Sequence, residues 1–406
     1  MIYKIAWRNI WRNKRRSLVI MVTISFGLLG GNFLSSAYIG MMNQTVEETI
    51  QRQLSHIQVH HPGFVADREV RKYIEGAGEI AEQLGRHPAV AAVSARSVTD
   101  GMVASAHLAG GVRILGIDPA AERETTGFQE QLEDGHFFTE GGRLPAVVIG
   151  RELARELRSG IGSRIVLTFQ DMEGEMVSAS FRVEGIFRTS STSYEKGTLF
   201  VEATRFNELL GKSDLVTEMA VRLHHDRDTP SVAGELKKAF PDLLVRSWQE
   251  MAPDLLFVVE YTEASLVWIV AIVLLGVAFG ILNTILMSVM ERTRELGMLL
   301  SVGMSRLRIF MMVVLETVFL SLTGGAAGLL ASIVLVNWLH TAGIDLAVIG
   351  GEALRDFGFS PYIYPELTIS YYLKVTGMVV FFAILASIYP ARKATRLQPA
   401  EAVRKE

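Results

Sequence analysis

Apolar positions along the chain are bunched into four long runs, with one long mixed stretch between the first and the second. The runs are Leu18–Met41, Leu266–Met290, Ile309–Leu339 and Tyr371–Tyr389. A hydrocarbon core of about 30 Å takes roughly 20 residues of helix to cross, so the pattern predicts four transmembrane helices. The first run is the least apolar, carrying Thr23, Ser25, Ser35 and Ser36; the fourth is short, with Lys374 near its start. The first three hold glycines four apart, at Gly27 and Gly31, Gly276 and Gly280, and Gly324 and Gly328; the fourth has Ala383 and Ser387. Small residues at that spacing let helix backbones approach closely in lipid, either within one chain or between two copies.

The mixed stretch, from about Asn43 to about Glu263, follows other periods. Alternation predicts strands at His56–His60, Val90–Val93, Val112–Ile117, Ala146–Ile149, Ile165–Phe169, Phe181–Ile186, Thr198–Val201 and Met219–Leu223. Asp171-Met-Glu-Gly174 reads as a hairpin turn. Helices are expected at Glu79–Gly85, Arg151–Leu157, Ala203–Leu210 and Pro230–Phe240, and again from Trp248 into the second run. Short strands mixed with short helices suggest an α+β or α/β domain, in one or two lobes, held at both ends by membrane helices.

Charge then orients the chain. Residues 1–17 carry Lys4, Arg8, Arg12, Lys14, Arg15 and Arg16 and no acid. Segment 291–308 has four Arg against two Glu, and 390–406 has five basic residues against two acidic ones. The stretch 43–263 holds 23 basic and 34 acidic residues. Basic segments mark the cytoplasmic side, so both termini and the 291–308 loop are expected inside and the acidic domain outside. Lys14, Arg15 and Arg16 before an apolar run could open a secretory signal. The run is about 24 residues long, however, which reads as an uncleaved signal-anchor. Residues 1–17, with Trp7 and Trp11 among basic positions, also form an amphipathic lead-in suited to anionic lipid.

Composition agrees with a polytopic membrane protein: 406 residues, 49% hydrophobic, mean hydropathy +0.28. There is no cysteine, hence no disulfide, thiolate metal site or cysteine nucleophile. Leu210-Gly-Lys-Ser213 resembles the tail of a phosphate-binding loop, but Phe206 stands where the pattern needs glycine. No other such loop exists, so the chain is not expected to bind ATP or to be an enzyme. His56 and His60 would share a strand face that a metal could use, yet spacing supplies no third ligand; packing or solvated histidines are the expectation. Nucleic-acid binding has no separate support. Glu316 lies inside the third run, where a carboxylate is costly and faces protein or water. It is either a proton or substrate site or a hydrogen-bonding partner near the inner interface.

Three segments carry a family resemblance. Glu291-Arg-Thr-Arg-Glu-Leu-Gly-Met-Leu-Leu-Ser-Val-Gly-Met-Ser305 resembles the loop between the second and third helices of the FtsX/MacB/LolC–LolE class of ABC-transporter permeases. Tyr389-Pro-Ala-Arg-Lys-Ala-Thr-Arg-Leu-Gln-Pro-Ala-Glu-Ala-Val-Arg404 is similar to its C-terminus, and Ala6-Trp-Arg-Asn-Ile-Trp-Arg-Asn-Lys-Arg-Arg16 to its lead-in. Leu300 and Ser301 stand where that loop usually has a basic residue and alanine. The resemblance implies an α-helical membrane protein with four transmembrane helices and an α+β, MacB-like periplasmic domain between helices 1 and 2. Its parts would be a lead-in and first helix (1–42), a periplasmic domain (43–264) and an FtsX-like membrane domain (265–406). It also implies a dimer, with a second copy or a paralogue, in the bacterial inner membrane. Two separate ATPase subunits would use ATP and Mg, and a periplasmic lipoprotein carrier or adaptor would act outside. Glu291, Arg292, Arg294, Glu295, Gly297 and Gly303 would then couple the chain to the ATPase. The task expected from this layout is lipoprotein release; the alternatives are MacB-like efflux and FtsX-like signalling.

Overall fold

A computed structural model describes residues 2–12, 14–138, 144–347, 350, 353–354 and 359–396. The loop charges Glu352, Arg355 and Asp356, and positions 397–404 of the C-terminal motif, lie outside them. The chain divides into two compact units: Met1–Met42 with Glu260–Asp345 and Tyr362–Glu406, and Asn43–Val259 with Leu346–Pro361.

In chain order the structure begins with α1 (Ile2–Arg12) and α2 (Lys14–Thr49), which runs on into a π-helical turn at Ile50–Leu54. The second unit then supplies β1 (Ile57–His60), α3 (Phe64–Asp67), α4 (Ala77–Gly85), β2 (Val90–Ala104) and β3 (Ala109–Ile117). Next come α5 (Pro119–Thr126), β4 (Leu132–Gly135), β5 (Ala146–Gly150), α6 (Arg151–Leu157), β6 (Arg164–Gln170) and β7 (Met176–Phe187). It closes with α7 (Thr192–Gly197), β8 (Thr198–Glu202), α8 (Ala203–Leu210), β9 (Glu218–Leu223), α9 (Thr229–Ala239), β10 (Leu244–Ser247) and α10 (Trp248–Met251).

The strands form one ten-stranded sheet in the order β10-β1-β9-β2-β3-β8-β5-β7-β4, with β6 joining β2 to β7. Most neighbours are antiparallel; β3–β8 and β5–β7 are parallel. The unit is therefore α+β. Local chemistry fixes the punctuation. Asp118 caps α5 by accepting from the Ala120 and Ala121 amides, with Pro119 in the first turn, and Gly127 ends it in the left-handed conformation. Ser247 and Glu250 make a reciprocal capping box at α10. Three separate apolar clusters back the sheet among the described residues: one around Phe169, Phe181 and Phe206, one around Ile57, Leu84 and Val221, and one around Phe128, Phe187 and Phe200. β2 is far longer than its predicted Val90–Val93. Its continuation, Ser94–Asp100, breaks the apolar alternation because all of its buried positions but Val98 are polar: Ser94, Arg96, Ser97 and Thr99.

The first unit is a helix bundle completed by α11 (Pro253–Glu291), α12 (Thr293–Ser301), α13 (Arg306–Ala342) and α14 (Ile369–Thr395). Among the described residues four helices, of 27 to 41 residues, are long and apolar enough to cross a membrane. Their inward faces share one core, with Ile24 and Leu28 of α2, Leu274 and Ile281 of α11, Leu320 of α13 and Val379 of α14. Their outward faces are apolar too: Phe26, Trp268, Ile272, Val334 and Ile369 are each at least 70% exposed. Helices apolar all round belong in an apolar surround.

The glycine pairs occupy different contacts. A Cβ on Gly324 would lie 2.7 Å from the Met21 carbonyl oxygen, and one on Gly328 2.8 Å from Ser25 Cα. Ser25 Oγ also donates to the Gly324 carbonyl at 2.6 Å, and Asn32 Nδ2 to Ser332 Oγ at 3.0 Å, so α2 and α13 meet backbone to backbone. Gly27 faces Val277 of α11 and Gly31 faces Val375 of α14. Gly280 lies against Thr23, whereas Gly276 has open space where a Cβ would go. Overpacking predicts that Gly328→Ala costs about 1–3 kcal/mol. Gly276→Ala is expected to be neutral or to stabilise by up to about 1 kcal/mol through helix propensity. Thermal unfolding of the purified protein separates the two; equal losses would refute the assignment.

Candidate coupling site

Helix α11 ends at Glu291, and Arg292 takes a non-helical conformation before α12 begins. After Ser301 the chain turns back at Gly303, whose φ of +93° suits glycine, and Ser305 enters α13 in extended geometry. The predicted loop is thus a nine-residue helix between two long ones. Leu296 and Gly297 face inward and are buried. Glu291 and Arg294 face outward, as do Met298 at 50% exposure and Val302 at 88%.

The charged residues of this segment divide into two groups. Arg292 turns into the bundle, where its side chain is 11% exposed. Its Nη1 donates to both Glu316 oxygens at 3.2 and 3.3 Å, and its Nε donates to Glu295 Oε2 at 3.0 Å. Glu316 accepts a further bond from Asn9 Nδ2 at 2.7 Å, and Glu295 accepts from Arg12 Nη2 at 2.6 Å. One polar knot therefore ties α1, α12 and α13 together. Trp7 packs edge-on against Phe319 beside it, centroids 5.5 Å apart, and Ser17 Oγ donates to the Ile10 carbonyl. Glu316, singled out in the sequence within the third apolar run, is the hub of this knot.

Electrostatics follow burial. Burial alone would depress the Arg292 pKa, but the Glu316 charge and hydrogen bonds to Glu295 and Glu316 outweigh it and raise it. Glu295 is pulled the other way: burial would raise its pKa, while hydrogen bonds from Arg292 and Arg12 hold it below the usual range. The Arg12–Glu295 pair is about half exposed and contributes little by itself. Its value is positional, since it fixes the lead-in to the base of α12. Asn9 and Arg12 were not singled out from sequence; Arg12 counted only as one positive charge among six.

The other motifs have plain structural roles. Lys212 pairs with Asp214 and lies over the Tyr73 ring at 4.7 Å, after a helix capped by left-handed Gly211. His56 Nδ1 accepts from the Leu223 amide, and His60 faces Thr217 O and Gln58 Oε1. Among the described residues no three His, Asp or Glu side chains cluster as a metal site.

Two family models match. The FtsX-like permease C-terminal model covers residues 267–399, and the MacB-like periplasmic core domain model covers 17–239, more than half of the chain. An uncharacterized ABC transporter permease of Methanocaldococcus jannaschii is 26% identical over 68% of this chain and 66% of its own length. The lipoprotein-releasing system transmembrane protein LolC of Neisseria meningitidis is 22% identical over 97% of this chain and 96% of its own. The macrolide export ATP-binding/permease protein MacB of Bdellovibrio bacteriovorus is 24% identical over 99% of this chain, which spans 61% of that protein. With a mixed-sheet α+β domain set in chain order between the first two of four long apolar helices, the chain belongs to the ABC-transporter permease family that joins a MacB-like periplasmic core domain to an FtsX-like permease C-terminal domain.

Proposed function

We propose that the chain is the permease subunit of an ABC transporter that turns ATP hydrolysis by separate ATPase subunits into work on the far side of the membrane. In this reading both termini and α12 are cytoplasmic, and the sheet domain is periplasmic. A second permease copy or paralogue and two ATPases, using ATP and Mg, complete the complex. The observation that carries the reading is α12 itself. Its outward face offers Met298 and Val302 as apolar anchors, with Arg294 and Glu291 beside them. Its base is fastened by Arg292 and Glu295 to α1 and α13. A push on the exposed face is passed to a long apolar helix through a buried ion pair rather than absorbed in a loose loop.

Exposed apolar side chains on a partner-facing helix are the kind of anchor that dominates an interface. Met298→Asp with Val302→Asp is expected to lower permease-dependent ATPase turnover at least tenfold while leaving the thermal stability of the permease unchanged. Full stimulation in the double variant would sink the docking assignment.

The work we assign is release of lipoproteins from the inner membrane to a periplasmic carrier. The nearly end-to-end alignment with LolC supports it. Depletion followed by membrane fractionation tests it: lipoproteins should accumulate in the inner membrane, and normal delivery to the outer membrane would rule it out. The MacB alignment over 99% of the chain supports efflux from the periplasm as the second reading.

A further inference from the structure

The sheet domain contains a cavity of about 250 Å³ that the coupling reading does not use. Its floor is a row of side chains written across the sheet by register. Arg246 of β10 lies opposite Gln58 of β1; His60 of β1 lies opposite Glu218 of β9, which lies opposite Arg96 of β2. Arg113 of β3 lies opposite Thr198 of β8. Gln53, Arg68 at the end of α3 and Tyr194 of α7 complete the polar lining. The remaining walls are apolar, from Leu54, Phe64, Val65, Val98, Leu115 and Met251.

The guanidiniums are unequally occupied. Arg96 is saturated: Nε and Nη2 bond Glu122 at 2.9 and 2.7 Å, and Nη1 bonds Glu218 at 2.8 Å. Arg68 bonds Asp100 at 3.0 Å. Arg113 shares that carboxylate only at 3.8 Å, and its buried Nε makes no hydrogen bond. Arg246 donates to the Glu250 backbone carbonyl and has no ion pair among the described residues. Four guanidiniums thus face three carboxylates, with Arg113 and Arg246 holding the spare donors. Burial pushes the Tyr194 pKa up, so its hydroxyl stays protonated as another donor. Beside the cavity the backbone is strained: the π-helical turn at Ile50–Leu54 is followed by Ser55 at φ +63°, a left-handed conformation in a residue other than glycine. π-Turns and such outliers gather at functional sites.

We propose that this cavity is a binding site for a phosphate-class oxyanion carried on a short apolar stem. Planar guanidinium forks match phosphate oxygens, and the apolar wall beside them takes an attached glycerol or alkyl segment. The same chemistry is offered by a free phosphate monoester and by a phospholipid headgroup. Chain connectivity favours the lipid source. Gln53 and Leu54 directly continue α2, and Met251 precedes α11 by two residues, so three of the lining residues adjoin in sequence the two long helices that lead into and out of the sheet domain. The inference is independent of the coupling and lipoprotein readings.

The test titrates the full-length protein in neutral detergent with two probes, monomeric short-chain phosphatidylglycerol and inorganic phosphate, by calorimetry. Saturable binding of the lipid, weakened about tenfold by Arg113→Gln and by Arg246→Gln, is expected, because each change removes a charged hydrogen bond. Arg164→Gln, on an exposed position of β6, should bind as the wild type does. Comparable affinity for inorganic phosphate assigns the site to the free ion; binding of the lipid alone assigns it to the headgroup. Hydrogen exchange on the unmodified protein reads the location without a variant: saturation should slow exchange at Gln53–Leu54 and Gln58–His60. No saturable binding of either probe, or binding without protection of those segments, overturns the proposal.

Discussion

Glu316→Ala is expected to destabilise the helix bundle by about 3–5 kcal/mol, because it leaves the Arg292 guanidinium buried without its principal partner. The loss reaches three elements at once: Asn9 of α1 also surrenders its acceptor, and α12 keeps only the exposed Arg12–Glu295 tie. Arg12→Ala, by contrast, removes half of an exposed pair and should cost no more than about 1 kcal/mol. Thermal unfolding of purified variants gives both numbers. Glu316→Gln, which can still accept from Asn9 and Arg292 but carries no charge, should fall between them. A Glu316→Ala protein as stable as Arg12→Ala would mean that the knot does not hold the bundle. If stability falls but ATPase stimulation stays normal, α12 does not transmit through Glu316.

The second large effect lies in the sheet domain. Arg96→Met should cost about 3–5 kcal/mol, because Glu122 and Glu218 remain buried without the guanidinium that pairs with both. The pH dependence carries a sign. In the wild type, burial would raise the Glu218 pKa, but Arg96 overrides it and holds the value below the ordinary 4.5. A depressed carboxylate contributes stability that is full above its unfolded pKa and is lost as pH falls through its folded value. In Arg96→Met that contribution is gone, and burial moves the Glu218 pKa upward instead. The gap between wild type and variant should therefore narrow as pH falls, first through the raised Glu218 value of the variant and then below about 4.5 as the wild-type contribution is lost. Adding Glu122→Gln and Glu218→Gln to Arg96→Met should restore most of the stability at neutral pH. Unfolding curves at neutral and acid pH check both; a gap that widens toward acid would contradict the account.

The sequence carried the long-range layout and lost the local polar detail. Four apolar runs and most strand cores were legible because periodicity records which face is buried. Ser94–Asp100 was not, since a strand whose buried positions are mostly polar mimics a loop. β10 was missed because Leu244–Ser247 is short, and α5 because Pro119–Thr126 has little apolar face. At the coupling site, spacing placed Glu291–Ser305 between two spans and marked Glu316 as costly. It could not reveal that Arg292 turns inward while Arg294 stays outside. Two arginines two apart in sequence look alike until a carboxylate 24 residues away claims one of them. The same holds for Arg96, whose partners lie 26 and 122 residues off in sequence.

The contact of Gly324 and Gly328 with the backbone at Met21 and Ser25 has a consequence for inheritance. Every single-base change of a glycine codon that alters the residue adds at least a Cβ, and here a Cβ has nowhere to go. Every amino-acid neighbour one step away costs stability at these two sites, unlike Gly276 with its open space. The outward faces of the helices can drift with the lipid or partner they meet. The distance between α2 and α13 cannot, so any variant that alters it must arise by compensating changes on both helices.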